Sequence, residues 1–420
     1  MLTSQAKRVL REELERFGER THRLSPNPGD LARRTFDGLE LEEEIQALTD
    51  RGHASAPLLE LAAQTFPDRA EIYAVDGGST RPQALTNGVT LCAFQAAMAG
   101  PPEAQIDGVP LDAFRSCSLM THAWGDLGGA RSELTETDYV HLRRIHLSRD
   151  LISRDEDILR VLQGLARVST EPYQALRILE HLDTTESWLW LDGPIYPIGL
   201  YYDLMGEPLG EADWTAWADA IDLLGEPIRL VERAITQPMP LIGINKNPEG
   251  AWLMEFALGE HERRWSSDAQ FIKGVLDRTP PDALGWTHWF VQTAYSQPRR
   301  APGSERESFA LFEALADVVD LRRAGEDYQV CFFYVYDPRV ASILKIEAPR
   351  AVVKTFGPER LQAQALAQIA RGRGVPPAIR RADARARITR RESQALMDLL
   401  RGTGLYPDWH YNQSRGEPVY

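Results

Sequence analysis

The spacing of apolar residues predicts helices near both ends of the chain. Apolar residues recur every three or four positions, as on one face of a helix, while charged residues occupy the other positions. Two adjacent prolines, Pro376 and Pro377, suit the first turn of one of these helices. The predicted helical ranges are 2–24, 39–48, 58–65, 361–370, 376–386 and 391–401.

Short apolar runs in the central part of the chain predict strands, with helices between them. The run 89–98 follows Asn87-Gly88 and is expected to pair back on the run 72–75 as a hairpin. Helical spacing extends over most of 139–182, and over 214–231 with an expected break or kink at Gly225 and Pro227. Further strands are predicted at 108–118, 239–244, 286–293, 329–336 and 342–346, and further helices at 268–276 and 308–321.

This order of elements favours an α/β fold, a mixed sheet with helices on its faces. We expect an N-terminal helical region at 1–66 and a main domain at 67–420, together forming one compact unit with C-terminal helical additions. The content of 43% hydrophobic and 26% charged residues is enough for a large core.

The cysteines and the N-terminal sequence limit the expected cellular location of the protein and the kinds of site that it contains. Cys92, Cys117 and Cys331 are odd in number and far apart, which argues against a disulfide framework or a cysteine-based zinc site. The first helix lacks the continuous apolar core of a signal peptide, so we expect a cytoplasmic protein with no membrane partner.

The net charge of −14 argues against non-specific adhesion to nucleic acid by the whole chain. Arginines are nevertheless concentrated between Arg371 and Arg391. Such a run is usually a solvated helix face paired with nearby acidic residues. The alternative interpretation is a surface that contacts the phosphates of a DNA backbone.

Two apolar runs end in an aspartate followed by glycine. The run 72–75 leads into Asp76-Gly77-Gly78-Ser79, which we expect to form a glycine turn, and the run 188–191 leads into Asp192-Gly193. Two strand-end aspartates in one fold are what a metal-dependent phosphoryl-transfer site requires, because hard divalent cations bind carboxylate oxygens.

Two further side chains are candidates for the same site. Glu171 follows Ser169 and Thr170, either of which could cap a helix, and precedes Pro172, so it is expected at a helix start facing the strand ends. Glu133 and Glu136 are equal rivals for this role. Lys246 follows an apolar strand, where its ammonium group could hold a scissile phosphate or remain merely exposed.

Taken together and in order, these motifs resemble the NurA family of prokaryotic nucleases, which have an RNase H-like core. Each motif is short, but their order and spacing extend over most of the chain. The matching segments are 74–79 (Ala-Val-Asp-Gly-Gly-Ser), the segment around Glu171, 191–194 (Leu-Asp-Gly-Pro), 242–246 (Ile-Gly-Ile-Asn-Lys), 332–335, 346–349, 374–377 and 382–388.

The resemblance implies an enzyme, a divalent-metal-dependent nuclease that acts on single- and double-stranded DNA ends. It implies 5′–3′ exonuclease and single-strand endonuclease activity in double-strand break resection, Mn²⁺ or Mg²⁺ as cofactor, a homodimer, and a HerA-type hexameric ATPase as partner.

The resemblance also implies roles for five residues. Asp76, Glu171 and Asp192 correspond to the metal-binding carboxylates of the family and Lys246 to its strand-end lysine. A histidine of the family is replaced here by Asp383, which can still bind metal but weakens the preference for Mn²⁺ over Mg²⁺. The implied mechanism divides the four carboxylates between two ions, one with Asp76 and Asp383, the other with Asp192 and Glu171.

Two other classes of protein remain open at this point. Asp76-Gly77-Gly78-Ser79-Thr80 also resembles the first phosphate loop of actin-like ATPases and sugar kinases, although Arg81-Pro82 interrupts the expected continuation. The third possibility is a catalytically inactive subunit that only binds a translocase. ATP turnover without DNA and divalent-metal binding distinguish these alternatives.

Overall fold

The computed structural model describes most of the chain, and the following account concerns those residues alone. They are 4–24, 28–39, 41, 45–49, 52–64, 71–123, 132–147, 158–182, 187–197, 200, 214–248, 250–251, 253–254, 265–292, 319, 321–323, 325–402 and 404. The helices are α1 (Ser4–Leu24), α2 (Pro28–Asp37), α3 (Leu58–Ala63), α4 (Ile158–Leu179), α5 (Trp214–Thr236), α6 (Asp268–Val275), α7 (Arg350–Phe356), α8 (Pro358–Gly372), α9 (Pro377–Ala386) and α10 (Arg390–Gly402).

The strands of the described residues vary from two to ten residues in length. They are β1 (Ile45–Ala47), β2 (His53–Pro57), β3 (Glu71–Ser79), β4 (Gln83–Ala84), β5 (Thr90–Ala99), β6 (Gln105–Ile106), β7 (Val109–Pro110), β8 (Arg115–His122), β9 (Ser132–Glu136), β10 (Val140–Leu147), β11 (Ser187–Leu191), β12 (Leu241–Asn245), β13 (Ala283–Thr287), β14 (Phe290–Gln292), β15 (Val330–Asp337) and β16 (Ser342–Pro349).

Fourteen of these strands form one mixed sheet. Its main path runs in the order β1-β14-β15-β16-β12-β11-β3-β5-β8-β10-β9. In the middle of this path, β3, β5 and β8 form an antiparallel meander, and β11 and β12 then add in parallel on the other side of β3. The carboxyl ends of β3, β11 and β12 therefore lie at the same edge of the sheet.

The middle strands are apolar because both faces of the sheet are covered. All five residues of β11 are buried, and Leu241, Ile242 and Ile244 of β12 have no exposed surface. Helix α4 packs against β3, β5 and β8, whereas α9 packs against β3 and β5.

Glycines in β3 allow both helices to come close to the sheet. A Cβ on Gly77 would lie 2.7 Å from Oε1 of Glu171 in α4, and a Cβ on Gly78 would lie 2.3 Å from the carbonyl oxygen of Ala386 in α9. Since successive residues of a strand face opposite sides, α4 and α9 approach β3 from opposite faces of the sheet.

The mixed α/β architecture, the β3–β5 hairpin and the three C-terminal helices confirm the sequence predictions. The helix predicted over 139–182 is wrong in its first part, where β10 pairs with β8 and β9. Positions 143, 145 and 147 of β10 are buried, which is strand alternation, but the inward position 143 is an arginine. Arg143 forms a buried ion pair with Glu226 at 2.9 Å, and this polar inward residue concealed the alternation.

Two other predictions need correction. The helix expected over 39–48 contains β1, which pairs with β14 from a distant part of the chain. Helix α5 continues through Gly225 and Pro227, where a break or a kink was expected, so the break does not occur. Burial of neighbours such as Leu224, Ile228 and Val231 stabilises α5 through packing, which outweighs the local cost of proline.

The N-terminal region contributes to the sheet as well as containing helices, because β1 pairs with β14 and β2 with β13. The boundary at residues 66 and 67 stays a prediction, and 308–318 of one predicted helix lies outside the described residues. No helix in the described part of the chain has both the length and the apolar character needed to cross a membrane.

Candidate active site

Asp76 and Asp192 lie side by side on neighbouring parallel strands. Leu191 of β11 is paired with Val75 of β3, so the aspartate that follows each residue reaches the same level. The N–H group of Asp192 donates to the carbonyl oxygen of Val75 at 3.3 Å. Both aspartates are buried, at 4% and 5% exposure, and the apolar strands that carry them fix their spacing.

The glycines after Asp76 belong to β3 and do not form the predicted turn. Asp76, Gly77, Gly78 and Ser79 pair with residues 97, 96, 95 and 94 of β5. The ring of Phe94 and the carboxylate of Glu171 on α4 occupy the space of a Cβ on Gly77, and the end of α9 occupies that of a Cβ on Gly78, which gives the reason for both glycines. An extended strand is also not the phosphate loop that an actin-like ATPase or a sugar kinase would require.

Glu171 lies in the interior of α4, not at a helix start as expected. The hydroxyl groups of Ser169 and Thr170 donate to carbonyl oxygens one turn earlier, at 2.8 and 2.6 Å, and cap nothing. Pro172 is accommodated inside the helix. Glu171 is nevertheless directed at the strand ends, because its carboxylate lies beside Gly77.

Lys246 reaches the site from the end of β12, as its sequence position indicated. Its Nζ forms an ion pair with Oδ2 of Asp192 at 2.5 Å. The remaining carboxylate oxygen, Oδ1 of Asp192, is buried and accepts no hydrogen bond, and the same holds for Oδ2 of Asp76. Buried carboxylate oxygens without donors are uncommon in folded proteins and call for a cation, a water or a proton shared between the two carboxyl groups as partner.

Two residues of the site were missed by the sequence analysis, Arg167 and Gln163. Nε of Arg167 donates to Oε1 of Glu171 at 3.1 Å, and its Nη2 donates to the carbonyl oxygen of Asp192. Gln163 donates to Oγ of Ser79 at 2.7 Å. The spacing of 163, 167 and 171 places them on one helix face, a signal that was available once α4 was known to be continuous.

Asp383 lies on α9 and lines the same site as Asp76 and Asp192. Its Oδ2 accepts from Nη2 of Arg387 at 3.0 Å, one turn later in the chain, and its side chain is about half exposed, at 48%. Asp383 is the most accessible of the candidate carboxylates.

An open cavity of about 410 Å³ joins these groups apart from Glu171, which is not part of its lining. Its lining is polar, with carboxylates, amides and two cationic side chains at one edge of the sheet. The lining includes Asp76, Asp192, Lys246, Asp383, Gln163, Arg167, Asn245 and Asn247.

Burial and the crowding of negative charge raise two pKa values in the site. Burial, followed by the charges of Asp192 and Glu171, raises the pKa of Asp76 to about 8. Burial raises the pKa of Glu171 to about 7, although Arg167 opposes the shift. The folded protein thus holds carboxyl groups that are difficult to ionise without an added positive charge.

The donor set fits a divalent cation. Two buried carboxylate oxygens without donors, further carboxylates nearby and raised pKa values are what a bound cation would relieve. Within the described residues, no three potential ligands are already spaced around one common point. Lys246 holds Oδ2 of Asp192 in an ion pair, so this contact would have to loosen when a cation binds, whereas Arg167 contacts Oε1 of Glu171 and can stay in place.

Comparison with known proteins decides the family. Residues 70–388 match the model of the NurA domain. The chain belongs to the NurA family. The matched range contains all five candidate residues, and the family membership confirms both the resemblance seen in the sequence and the expected class of enzyme, a nuclease.

Solved structures of NurA proteins are similar to this chain. The NurA nuclease from Sulfolobus solfataricus is 12% identical, with 96% of this chain and 97% of that chain covered and a TM-score of 0.45. A NurA structure with dAMP and manganese is 11% identical, with 96% and 98% covered and a TM-score of 0.41. A NurA structure with manganese is 11% identical, with 80% and 90% covered and a TM-score of 0.42. No curated protein matches the chain in sequence.

The rival glutamates lie elsewhere in this NurA chain. Glu133 of β9 forms an ion pair with Arg144 of β10. Glu136 is exposed, and its Oε1 lies 3.6 Å from Nδ1 of His141. None of the three glutamates lines the cavity, but the charge of Glu171 raises the pKa of Asp76, and Arg167 joins its carboxylate to the backbone of Asp192. Among these three glutamates, the structure brings only Glu171 to the two aspartates.

The arginine run divides into residues with different contacts. Arg371 donates to the carbonyl oxygens of Ala62 and Gln64 at 2.9 and 2.6 Å and so docks α8 against the end of α3. Arg385 lies 3.8 Å from Asp112, whereas Arg387 lies at the cavity through its ion pair with Asp383. Arg371 therefore contributes to the packing of helices, whereas Arg387 stands beside the candidate site.

Proposed function

We propose that this chain is a divalent-metal-dependent DNA nuclease that hydrolyses phosphodiester bonds at the edge of the sheet where β3, β11 and β12 end. One observation carries the proposal. Asp76 and Asp192 stand at the same level on neighbouring strands, each with a buried carboxylate oxygen that accepts no hydrogen bond. Family membership makes phosphodiester hydrolysis the reaction that such a pair would serve.

Four carboxylates would hold the cation. Asp76 and Asp192 provide the centre, Glu171 approaches from the α4 face, and Asp383 approaches from α9. A divalent cation bound there supplies Lewis-acid activation of water and charge stabilisation at the phosphate. The division of the carboxylates between two ions, as the resemblance implies, remains part of this proposal.

The cationic side chains have separate tasks. Lys246 neutralises Asp192 in the free protein and lies where it can contact a phosphate oxygen of the substrate once that ion pair loosens. Arg167 holds the backbone of Asp192 and the side chain of Glu171 together, which fixes the relative position of two ligands on different elements.

We take Mn²⁺ as the cofactor and Mg²⁺ as the alternative, because all proposed ligands are hard oxygen donors that suit either ion. Manganese is the ion named for two of the solved NurA proteins, one of which also binds dAMP. Asp383 in place of the histidine of the family weakens the preference for Mn²⁺ over Mg²⁺.

The finer activity follows the family resemblance. We propose 5′–3′ exonuclease and single-strand endonuclease activity on DNA ends, in double-strand break resection in the cytoplasm, with a HerA-type ATPase as partner. A homodimer is part of the proposal, and the exposed apolar side chains of Val9, Leu10 and Leu14 on α1 are available for such a contact. We further propose that the central meander β8-β5-β3, extended by the parallel strands β11 and β12, is the RNase H-like core.

Cleavage of end-labelled DNA tests the function. Purified protein is incubated with single- and double-stranded DNA in Mn²⁺, Mg²⁺ or chelator, beside the Asp76→Asn and Asp192→Asn variants. We expect metal-dependent cleavage by the natural protein and none by either variant, with unchanged circular dichroism. Full activity of Asp76→Asn would overturn the assignment, and ATP turnover without DNA would favour a phosphotransferase instead.

A further inference from the structure

The chain after Asp192 crosses directly over a glycine of the next strand. A Cβ on Gly243 of β12 would lie 2.8 Å from the carbonyl oxygen of Gly193 and 3.0 Å from the backbone nitrogen of Ile195. The segment 193–195 therefore rests on the backbone of β12, and only glycine at 243 leaves the space for it.

A buried carboxylate beside Gly243 binds this segment. Glu347 of β16 is the register partner of Gly243 and is 4% exposed. Its Oε2 accepts a hydrogen bond from the N–H group of Ile195 at 3.0 Å. Its Oε1 forms an ion pair with Nζ of Lys345 at 2.8 Å, and Lys345 lies over the ring of Phe332.

We propose that Glu347 is a positioning residue that holds Asp192 in its metal-binding orientation. This inference rests on the proposed function. The N–H group of Asp192 is fixed to Val75, and the N–H group of Ile195, three residues later, is fixed to Glu347. These two hydrogen bonds, one to β3 and one to β16, restrict the movement of the backbone segment that carries the Asp192 carboxylate.

A carboxylate is the suitable acceptor here. A hydrogen bond from a backbone N–H group to an ionised carboxylate is shorter and stronger than one to a neutral acceptor. Lys345 balances the buried charge at the opposite oxygen, so that Glu347 is paired on both sides. Without an acceptor, the amide of Ile195, which is buried, would lack a partner, and the segment would move to find one.

Two double variants isolate this hydrogen bond. Lys345→Met/Glu347→Gln removes the ion pair but keeps an oxygen acceptor for Ile195, whereas Lys345→Met/Glu347→Leu removes both. Arg143→Met/Glu226→Gln removes a buried ion pair elsewhere in the sheet and controls for general loss of stability. Gly243→Ala displaces the segment 193–195 directly, because its Cβ would clash with the backbone of that segment. This variant replaces the Leu double variant in the experiments if the latter does not fold.

Hydrogen exchange in the metal-free protein is the first readout. We expect the peptide containing Ile195 to exchange at least tenfold faster in the Leu double variant and in Gly243→Ala. Its exchange rate should remain within about threefold of that of the natural protein in the Gln double variant, whose neutral amide oxygen is a weaker acceptor, and should be unchanged in the control. Equal protection in all variants would overturn the inference.

Manganese affinity, measured by calorimetric titration with MnCl₂ alone, is the second readout. We expect the Leu double variant to bind Mn²⁺ about 10- to 100-fold more weakly, as for loss of a residue that orients a ligand, and the Gln double variant to bind within about threefold of the natural protein. Unchanged affinity in the Leu double variant would reject the positioning role. If the natural protein binds no Mn²⁺, the proposed function fails, and the exchange experiment still decides whether Glu347 fixes the segment.

Discussion

Gly78 of β3 contacts the carbonyl group of Ala386 at the end of α9, so closely that a Cβ on Gly78 would lie 2.3 Å from the oxygen. Nε2 of Gln95 on β5 donates to the same carbonyl oxygen at 2.8 Å. The helix that carries Asp383 is therefore docked on the strand that carries Asp76, two residues beyond the aspartate. This contact sets the distance between α9 and the centre of the site.

Gly78→Ala should push α9 away from β3 and reduce cleavage. Because the clash is with backbone atoms that cannot rotate away, we expect a loss of stability of about 1–3 kcal/mol and at least a tenfold loss of activity. Denaturant unfolding and cleavage rates measure the two effects. Gly402→Ala at the end of α10, where a Cβ would meet nothing within 4 Å, is the control; it should leave activity unchanged and should not lower stability, because alanine favours the helix over glycine. Unchanged activity in Gly78→Ala would show that the docking of α9 is not needed for the reaction.

Asp76→Asn should stabilise the metal-free protein while it abolishes cleavage. The pKa of Asp76 is raised to about 8 by burial and by two neighbouring carboxylates, so folding binds a proton that the unfolded chain releases above about pH 4. The stability of the natural protein therefore falls as pH rises from about 4 to about 8, and asparagine removes this loss.

Thermal unfolding in chelator measures the effect at several pH values. We expect the two proteins to have similar stability near pH 4, and the variant to become progressively more stable up to about pH 8, with no further change above. An equal or lower stability of Asp76→Asn at pH 8 would contradict the like-charge account of the site.

Manganese binding should release protons near neutral pH. At pH 7 the carboxyl of Asp76, with its pKa of about 8, is largely protonated, and that of Glu171, with a pKa of about 7, is partly so. Both must ionise to bind a cation. Calorimetric titration in buffers of different ionisation enthalpy should report between about one and two protons released at pH 7 and an affinity that rises with pH until about 8. No release of protons would mean that these carboxyls are not ligands.

The sequence predicted the site best where a local pattern of residues is compatible with a single local structure. Asp76, Asp192 and Lys246 follow apolar runs, and parallel neighbours bring the ends of β3, β11 and β12 to one edge, so their convergence was predictable. Glu171 was placed at a helix start, because Pro172 was interpreted by its usual position, whereas packing against the sheet stabilises α4 through the proline.

Other features depend on contacts between distant parts of the chain. Gly77 and Gly78 are extended because they pair with β5 and because helices cover both faces of the sheet at this point. Neither contact can be predicted from the two glycines and their neighbours in the sequence. β10 escaped prediction because Arg143 occupies an inward position and finds Glu226 in a helix eighty-three residues later. Arg167 could be assigned to the site only once the structure showed that α4 continues without interruption from Gln163 to Glu171.

Arg167→Met should lower activity more than stability. The guanidinium group joins the backbone of Asp192 to the carboxylate of Glu171, and loss of such a residue typically costs about 10- to 100-fold in metal affinity or activity. Arg177→Met, in the same helix, is the matched control, because Arg177 also donates to a backbone carbonyl, that of Arg115 at 2.9 Å, but does not line the cavity. Cleavage rates and Mn²⁺ affinity should fall in the first variant alone. Equal losses in both would assign Arg167 a purely structural role.

Asp383→His should increase the preference for manganese over magnesium. Asp383 lines the cavity and is half exposed, so an imidazole can occupy its position without a change in the core. Imidazole nitrogen binds Mn²⁺ better than it binds Mg²⁺, which prefers oxygen ligands. The ratio of cleavage rates in the two metals should therefore rise about tenfold, mainly because activity in Mg²⁺ falls. Asp383→Asn keeps an oxygen ligand and should leave the ratio near that of the natural protein. If all three proteins have the same ratio, Asp383 does not contact the metal, and the site consists of Asp76, Asp192 and Glu171.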